Sequence, residues 1–269
     1  MRLKISLVHY LNAAPLGWFF LHGPKRHLFD TIPSSPAICA DQISGGGADI
    51  GLIPSIEYQR IDGLSVIPGV AIAARNEVRS VLLVRPRDST RIRTVALDTS
   101  SRSSIALLRL LLETHMGLRP RYIPHEPDVG AMLRQCDAAL IIGDPALHCS
   151  PDEYAVMDLG AAWQGWQRTP FVFSFWACGE KISRQAGLTD LFLEAKAWGV
   201  ARMEEIAASY SCRLNLPRAF LENYLRSNLD HNLGPEHKEG LSRFYRLAFE
   251  AKLTSRASPI RFVAGEPEN

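Results

Sequence analysis

No nucleotide or metal signature runs through this chain: it has no G-x-G-x-x-G turn, no Walker loop, no H-E-x-x-H pair and no G-x-S-x-G elbow. Any reaction it runs is therefore expected to need neither cofactor nor metal, and to work by positioning and electrostatic stabilisation. The five cysteines (Cys39, Cys136, Cys149, Cys178, Cys212) are odd in number, scattered, and never spaced C-x-x-C. That argues against a disulfide framework or a zinc site and for reduced thiols in a cytoplasm. No stretch approaches the roughly 20 apolar residues of a membrane span. The opening Met1–Val8 reads as a first strand, not a signal peptide. The formal net charge is only +2, with acidic residues interspersed among the basic ones. A nucleic-acid partner, which needs a basic stripe, is not expected.

What the chain does have is apolar substance. Its 269 residues are 46% hydrophobic and 22% charged, enough for one large or two modest cores. Strands are expected at Leu3–Val8, 49–53, Val66–Ala73 and Val78–Val84, with helices at Ala14–Leu21 and Ala37–Gly45 and a helical turn at Pro54–Tyr58. After the polar break Arg85–Asp88, strands at Arg93–Leu97, Arg121–Pro124 and Ala138–Ile142 alternate with helices at Ser103–Met116 and Asp128–Gln135. Strands near Ala155–Leu159 and Phe171–Ala177 follow, and then helical patterns at about Asp190–Tyr210, Pro217–Asn228 and Pro235–Ala251. Alternation of this kind implies an α/β fold with largely parallel sheets. Two such units suggest a hinged clamshell, lobe I from residues 1–86 plus 175–269 and lobe II from 87–174. Ligands of such folds bind in the crevice at the strand carboxyl ends.

Five hydroxyl residues within six positions (Thr99, Ser100, Ser101, Ser103, Ser104) lie between a strand and an apolar helix. One would suffice as a cap. The surplus, the helix N-terminus and adjacent Arg102 make a candidate anion site. Asn12, between the first strand and first helix, could donate its amide to a ligand oxygen or serve as a turn residue. His9 is a candidate base or a structural histidine. Glu57 could face the cleft or cap its turn, and the cap is favoured. Asp144, in Gly143-Asp144-Pro145, could orient a cleft residue or support the turn.

Several segments resemble one family. His9-Tyr10-Leu11-Asn12-Ala13-Ala14-Pro15-Leu16 resembles the opening motif of the chorismate dehydratases of the futalosine route to menaquinone. Asp49-Ile50-Gly51-Leu52-Ile53-Pro54-Ser55-Ile56-Glu57-Tyr58, Val78-Arg79-Ser80-Val81-Leu82-Leu83 and Leu97-Asp98-Thr99-Ser100-Ser101-Arg102-Ser103-Ser104 are similar to its later blocks. So are Ile141-Ile142-Gly143-Asp144-Pro145-Ala146-Leu147, with Pro145 where Ala is common, and the stretch from Asp158-Leu159-Gly160 to Trp176-Ala177. The matches run in order over about two-thirds of the chain. The opening loop of a sister enzyme, dihydroxynaphthoate synthase, is not seen.

The resemblance implies a two-lobed periplasmic-binding-protein-like (type II) clamshell, cytoplasmic, acting on chorismate without a cofactor, as monomer or homodimer. It implies Asn12 as the catalytic residue, holding the leaving hydroxyl or the enolpyruvyl group. Ser100, Ser101 and Ser103 would receive the ring carboxylate, Ser80 would bind from the opposite lobe, Asp144 would join the substrate site, and Arg102 would pair with a carboxylate or point into solvent. The proton-abstracting base stays open between His9, Glu57 and the substrate's own enolpyruvyl carboxylate. The rival reading is a non-catalytic solute-binding protein for a small aromatic or carboxylate ligand.

Overall fold

A computed structural model describes residues 2–263. They form two five-stranded sheets. The first contains β1 (Leu3–Val8), β2 (Phe29–Ser34), β3 (Ile50–Pro54), β4 (Leu64–Ala74) and β10 (Phe171–Gly179), in the order β2-β1-β3-β10-β4. The second contains β5 (Val81–Pro86), β6 (Thr94–Asp98), β7 (Arg121–His125), β8 (Ala138–Ile142) and β9 (Tyr154–Asp158), in the order β7-β6-β8-β5-β9. The central strands β3 and β8 are buried at every residue, as strands covered on both faces must be.

The sheets are mixed. β1 runs parallel to β2 and β3, and β6 parallel to β7 and β8. β10 is antiparallel to both its neighbours, and so is β5. These two are the strands that follow the chain's crossings between lobes. The pairing also moves the expected lobe limits. β5 belongs wholly to the second sheet and β10 wholly to the first, so the crossings fall at residues 75–80 and 168–170, not at 86 and 174.

Helices α1 (Ala14–His22), α2 (Pro36–Ser44), α6 (Glu180–Ser183), α7 (Leu188–Val200), α8 (Met203–Leu214), α9 (Arg218–Ser227) and α10 (Pro235–Glu250) accompany the first sheet. α3 (Arg102–Arg109), α4 (Val129–Gln135) and α5 (Leu159–Gln167) accompany the second. Leu110–His115 prolong α3 as a π-helical turn whose three leucines are buried. The helix expected over 190–210 is two helices. Arg202, at the break, donates to the Trp198 carbonyl at 2.9 Å and lies 3.8 Å over that ring. Gly199 faces the Pro15 carbonyl so closely that no side chain would fit there.

The crossing at 75–80 is held by Asp158. Its carboxylate accepts the N–H groups of Val78 (3.1 Å) and Arg79 (2.7 Å) as well as those of Gly160 and Ala161 at the start of α5. Burial nonetheless raises the Asp158 pKa. α5 then sets Trp163 edge-on against Phe171 and Phe244, 5.2 and 6.1 Å between centroids. One continuous apolar core thus passes from lobe to lobe.

Candidate active site

Between the sheets, at the carboxyl ends of β1, β6 and β8, lies a small cleft. Its polar walls are Tyr10, Asn12, Ser101, Ser104 and Ser174. Its apolar walls include Val8, Ile72, Val78, Val81, Ile142 and Phe173. Among the described residues no charged side chain belongs to these walls. Donors for an anion are therefore hydroxyls, an amide and backbone N–H groups. With the lobes as they stand, the open space is about 20 Å³, room for a single water-sized body. A larger ligand needs more room than this arrangement of the lobes leaves. The larger hollows, about 620 and 570 Å³, are open depressions about Arg85, Arg91 and Arg93 and about Arg79 and Tyr154, away from these walls.

Asn12 sits on a three-residue 3-10 turn, Leu11–Ala13, that joins β1 to α1. Its Oδ1 is buried and has no hydrogen-bond partner. A buried amide oxygen without a partner is costly, and this one belongs to a residue of the cleft wall. Ser101 caps α3, its Oγ 3.5 Å from the Ser104 N–H and 2.9 Å from Ser104 Oγ. The helix thus presents its N-terminal donors and positive dipole end beside the cleft.

The other members of the hydroxyl run do different work. Ser100 Oγ donates to Asp98 at 2.6 Å and accepts from the Tyr10 hydroxyl at 3.3 Å, while the Ser100 carbonyl receives the Ala37 N–H across the lobes at 3.0 Å. Asp98 is buried, and desolvation raises its pKa despite the N–H donors of Ser100 and Ile142. Ser103 is fully buried. Its Oγ accepts the Ile56 N–H at 3.1 Å and lies 3.1 Å from Ser55 Oγ. Ser103 thus joins the lobes and does not wall the cleft.

Arg102 and Asp144 also depart from expectation. The Arg102 guanidinium turns away from the cleft onto the first lobe, bidentate to Asp41 (2.9 and 3.0 Å) and 3.0 Å from Glu57. Glu57 is buried, with its other oxygen on Arg60 at 2.8 Å; it is an ion-pair bridge, neither a cleft base nor a simple cap. Asp144 accepts the Leu11 N–H at 2.7 Å and pairs with Arg213 at 2.7 Å. Burial raises its pKa even so. Both its oxygens are engaged in holding the lobes together, and a carboxylate there would in any case repel an anionic ligand. Ser80 is fully buried, its hydroxyl 3.4 Å from the Val78 carbonyl, and it is not among the cleft walls. His9 is exposed, with Nδ1 2.8 Å from the Ser34 carbonyl.

Three contributors escaped the sequence reading. In the sequence Ser104 is one hydroxyl of the run and nothing singles it out, although α3 turns it toward Ser101 and the cleft. Ser174 lies within an unbroken apolar strand, where a lone serine gives no periodic signal. Tyr10 is legible only through Gly143: the glycine has φ +66°, and its bare Cα lets the Tyr10 ring pack against it.

Two mixed sheets joined by two crossings, with a neutral donor cleft at their strand ends, define a two-lobed α/β clamshell. Solved structures share that architecture. A protein from Archaeoglobus fulgidus superposes with a TM-score of 0.76 at 14% identity, covering 94% of this chain and 98% of that one. The periplasmic aliphatic sulphonate binding protein of Escherichia coli does so with a TM-score of 0.66 at 18% identity, covering 100% and 96%. At the level of sequence, residues 3–250 match the family model described as menaquinone biosynthesis. A curated chorismate dehydratase from Thermus thermophilus is 31% identical over 260 residues, 89% of this chain and 93% of the relative. The chain belongs to the menaquinone-biosynthesis family.

Proposed function

We propose that this protein is a chorismate dehydratase, a hydro-lyase converting chorismate to 3-[(1-carboxyvinyl)oxy]benzoate and water in the cytoplasm. The observation that carries the reading is the likeness to the Thermus thermophilus enzyme over 89% of this chain, alongside the family match over residues 3–250, a span that includes every residue of the cleft walls. No helix among the described residues is long and apolar enough to cross a membrane.

The chemistry suits the walls. The C–H bond at the ether-bearing ring carbon breaks, the neighbouring C–OH bond breaks, and the new double bond completes an aromatic ring. The hydrogen is acidic because the developing carbanion delocalises through the diene into the ring carboxylate. Charge therefore accumulates on that carboxylate in the transition state, where donors matter most. The N-terminus of α3 with Ser101 and Ser104 suits that carboxylate. The apolar residues Val8, Ile72, Ile142 and Phe173 suit the ring edge. The Asn12 amide would hold the departing hydroxyl or the enolpyruvyl group.

His9 is exposed and Glu57 is tied to two arginines, so neither is offered as the base. The substrate's enolpyruvyl carboxylate is then the proton acceptor, once closure brings it against the ring, and it passes that proton to the departing hydroxyl, which leaves as water. Shutting the lobes also excludes water from the carbanion. The test is turnover of chorismate by the purified protein, followed by ultraviolet absorbance of the aromatic product. Binding without turnover would instead leave a solute-binding protein.

A further inference from the structure

The turn that carries Asn12 has two tethers of different kinds. One is Asp144, which reaches across the cleft to the Leu11 N–H. It comes from the opposite lobe, so it is lost whenever the lobes part to admit a ligand. The other is His231, whose Nε2 lies 3.3 Å from the Asn12 carbonyl oxygen. A carbonyl only accepts, so Nε2 carries the proton. His231 belongs to the same lobe as the turn and can hold it through opening and closing alike.

The imidazole is itself firmly placed. It is buried in the segment between α9 and α10, and that segment is stitched to β4. Asp230 and Ala73 exchange both backbone hydrogen bonds at 2.8 Å, and the Ala71 N–H donates to the His231 carbonyl at 3.3 Å. The Asp230 carboxylate is braced by Arg75 Nε at 2.7 Å, His237 Nε2 at 3.1 Å and the Asn232 N–H at 3.0 Å. Between Ala71 and Ala73, the same strand supplies Ile72 to the cleft wall. The path from the braced segment through the imidazole to the Asn12 main chain is short and, at each step, hydrogen-bonded.

We infer that His231 is a positioning residue for the reaction: its Nε2–H···O=C bond fixes the Leu11–Ala13 turn and so aims the Asn12 amide at the substrate. The assignment rests on the reading of the cleft as the dehydration site. A 3-10 turn of three residues has few bonds of its own, and a displacement of about 1 Å at a catalytic group can cost about a hundredfold in rate. Nothing in the sequence joins these two residues, which lie 219 positions apart.

A double-mutant cycle tests it. His231→Leu should lower kcat ten- to a hundredfold with KM changed less than threefold. In the Asn12→Ala background the same substitution should change kcat less than twofold, because the group it positions is gone. His231→Gln, which keeps an N–H donor on a side chain of similar reach, should recover most of the kcat lost in His231→Leu. Losses that simply add in the double variant, or a folded His231→Gln as impaired as His231→Leu, would overturn the inference. Should His231→Leu not fold, His231→Met takes its place in the cycle. The side-chain amide resonances of Asn12, assigned by their loss in Asn12→Ala, give a readout independent of turnover. They should shift in His231→Leu and hold in His231→Gln. If the unaltered protein fails to turn over chorismate while these resonances still respond to His231, the proposed reaction is wrong and the tether stands. Resonances indifferent to His231 would remove the tether itself.

Discussion

Gly143, at the end of β8 in one lobe, lies so close to Tyr10, at the end of β1 in the other, that a Cβ built on it would stand 2.7 Å from the Tyr10 ring. The glycine also has φ +66°, a conformation that L side chains rarely adopt. Gly143→Ala should therefore cost on the order of 2–4 kcal/mol, strain and overpacking together. Urea denaturation measures the loss, and small-angle scattering should show lobes held farther apart. A variant as stable and compact as the parent would mean that the Tyr10–Gly143 contact is not what sets closure.

Arg102 is expected to be a clasp. Its loss leaves the buried Glu57 with Arg60 alone. Arg102→Met should cost on the order of 1–3 kcal/mol, the penalty of stranding a buried charged acceptor. Asp41 is largely exposed, so Asp41→Asn should cost under about 1 kcal/mol. Equal losses for the two variants, measured by chemical denaturation, would contradict the assignment of Glu57 as the important partner.

The serines should separate by role. Ser103→Ala removes an interlobe bond and should lower stability by about 1 kcal/mol with kcat close to normal once folded. Ser101→Ala removes a cap, about 1 kcal/mol, and should also reduce kcat/KM more than tenfold. The same kinetic phenotype for both would mean that the run acts as one unit.

Much of this was legible in the chain. Strand–helix alternation and the fully apolar Ile50–Ile53 and Ala138–Ile142 announced two α/β units, and the hydroxyl run announced the α3 terminus. What failed has physical reasons. β2 (Phe29–Ser34) carries Asp30 and Pro33, and proline is tolerated there because β2 is an edge strand. α5 contains Gly160 and Gly165, poor helix formers, and owes its start to the Asp158 cap. Arg102 and Asp144 could be placed near the cleft from sequence, but their partners Asp41 and Arg213 lie 61 and 69 positions away. Local pattern carries no information about such pairings.

Acid should expose the buried histidine. Burial pushes the His231 pKa down from 6.5 to about 4, against the opposing pull of the Asn12 carbonyl and the Asp230 charge, with Lys196 pushing it lower still. The native state therefore binds fewer protons than the unfolded chain between those values. Its contribution is present above about pH 6.5 and is lost as the pH falls toward 4, at about 1.4 kcal/mol per unit at most. Asp230, which burial pushes up but the His237 and Asn232 hydrogen bonds hold low on balance, is lost in the same sense at lower pH. Asp98, Asp144 and Asp158, raised by burial, act oppositely, favouring the fold as the pH falls through their raised values. His231→Gln should flatten the stability profile between pH 6.5 and 4. An unchanged slope there would show that His231 is not the titrating group.

The central claim is that the Asn12 amide serves a dianionic substrate in this cleft. Asn12→Asp keeps the size and replaces a donor with an anion; two unit charges about 4 Å apart repel by about 4 kcal/mol at an effective dielectric near 20. The decisive measurement is chorismate turnover by the parent and by Asn12→Asp, with stability checked by denaturation. The parent should form 3-[(1-carboxyvinyl)oxy]benzoate, and the folded variant should lose at least a hundredfold in kcat/KM. A parent that leaves chorismate unchanged, or a folded Asn12→Asp that works at the parental rate, would contradict it.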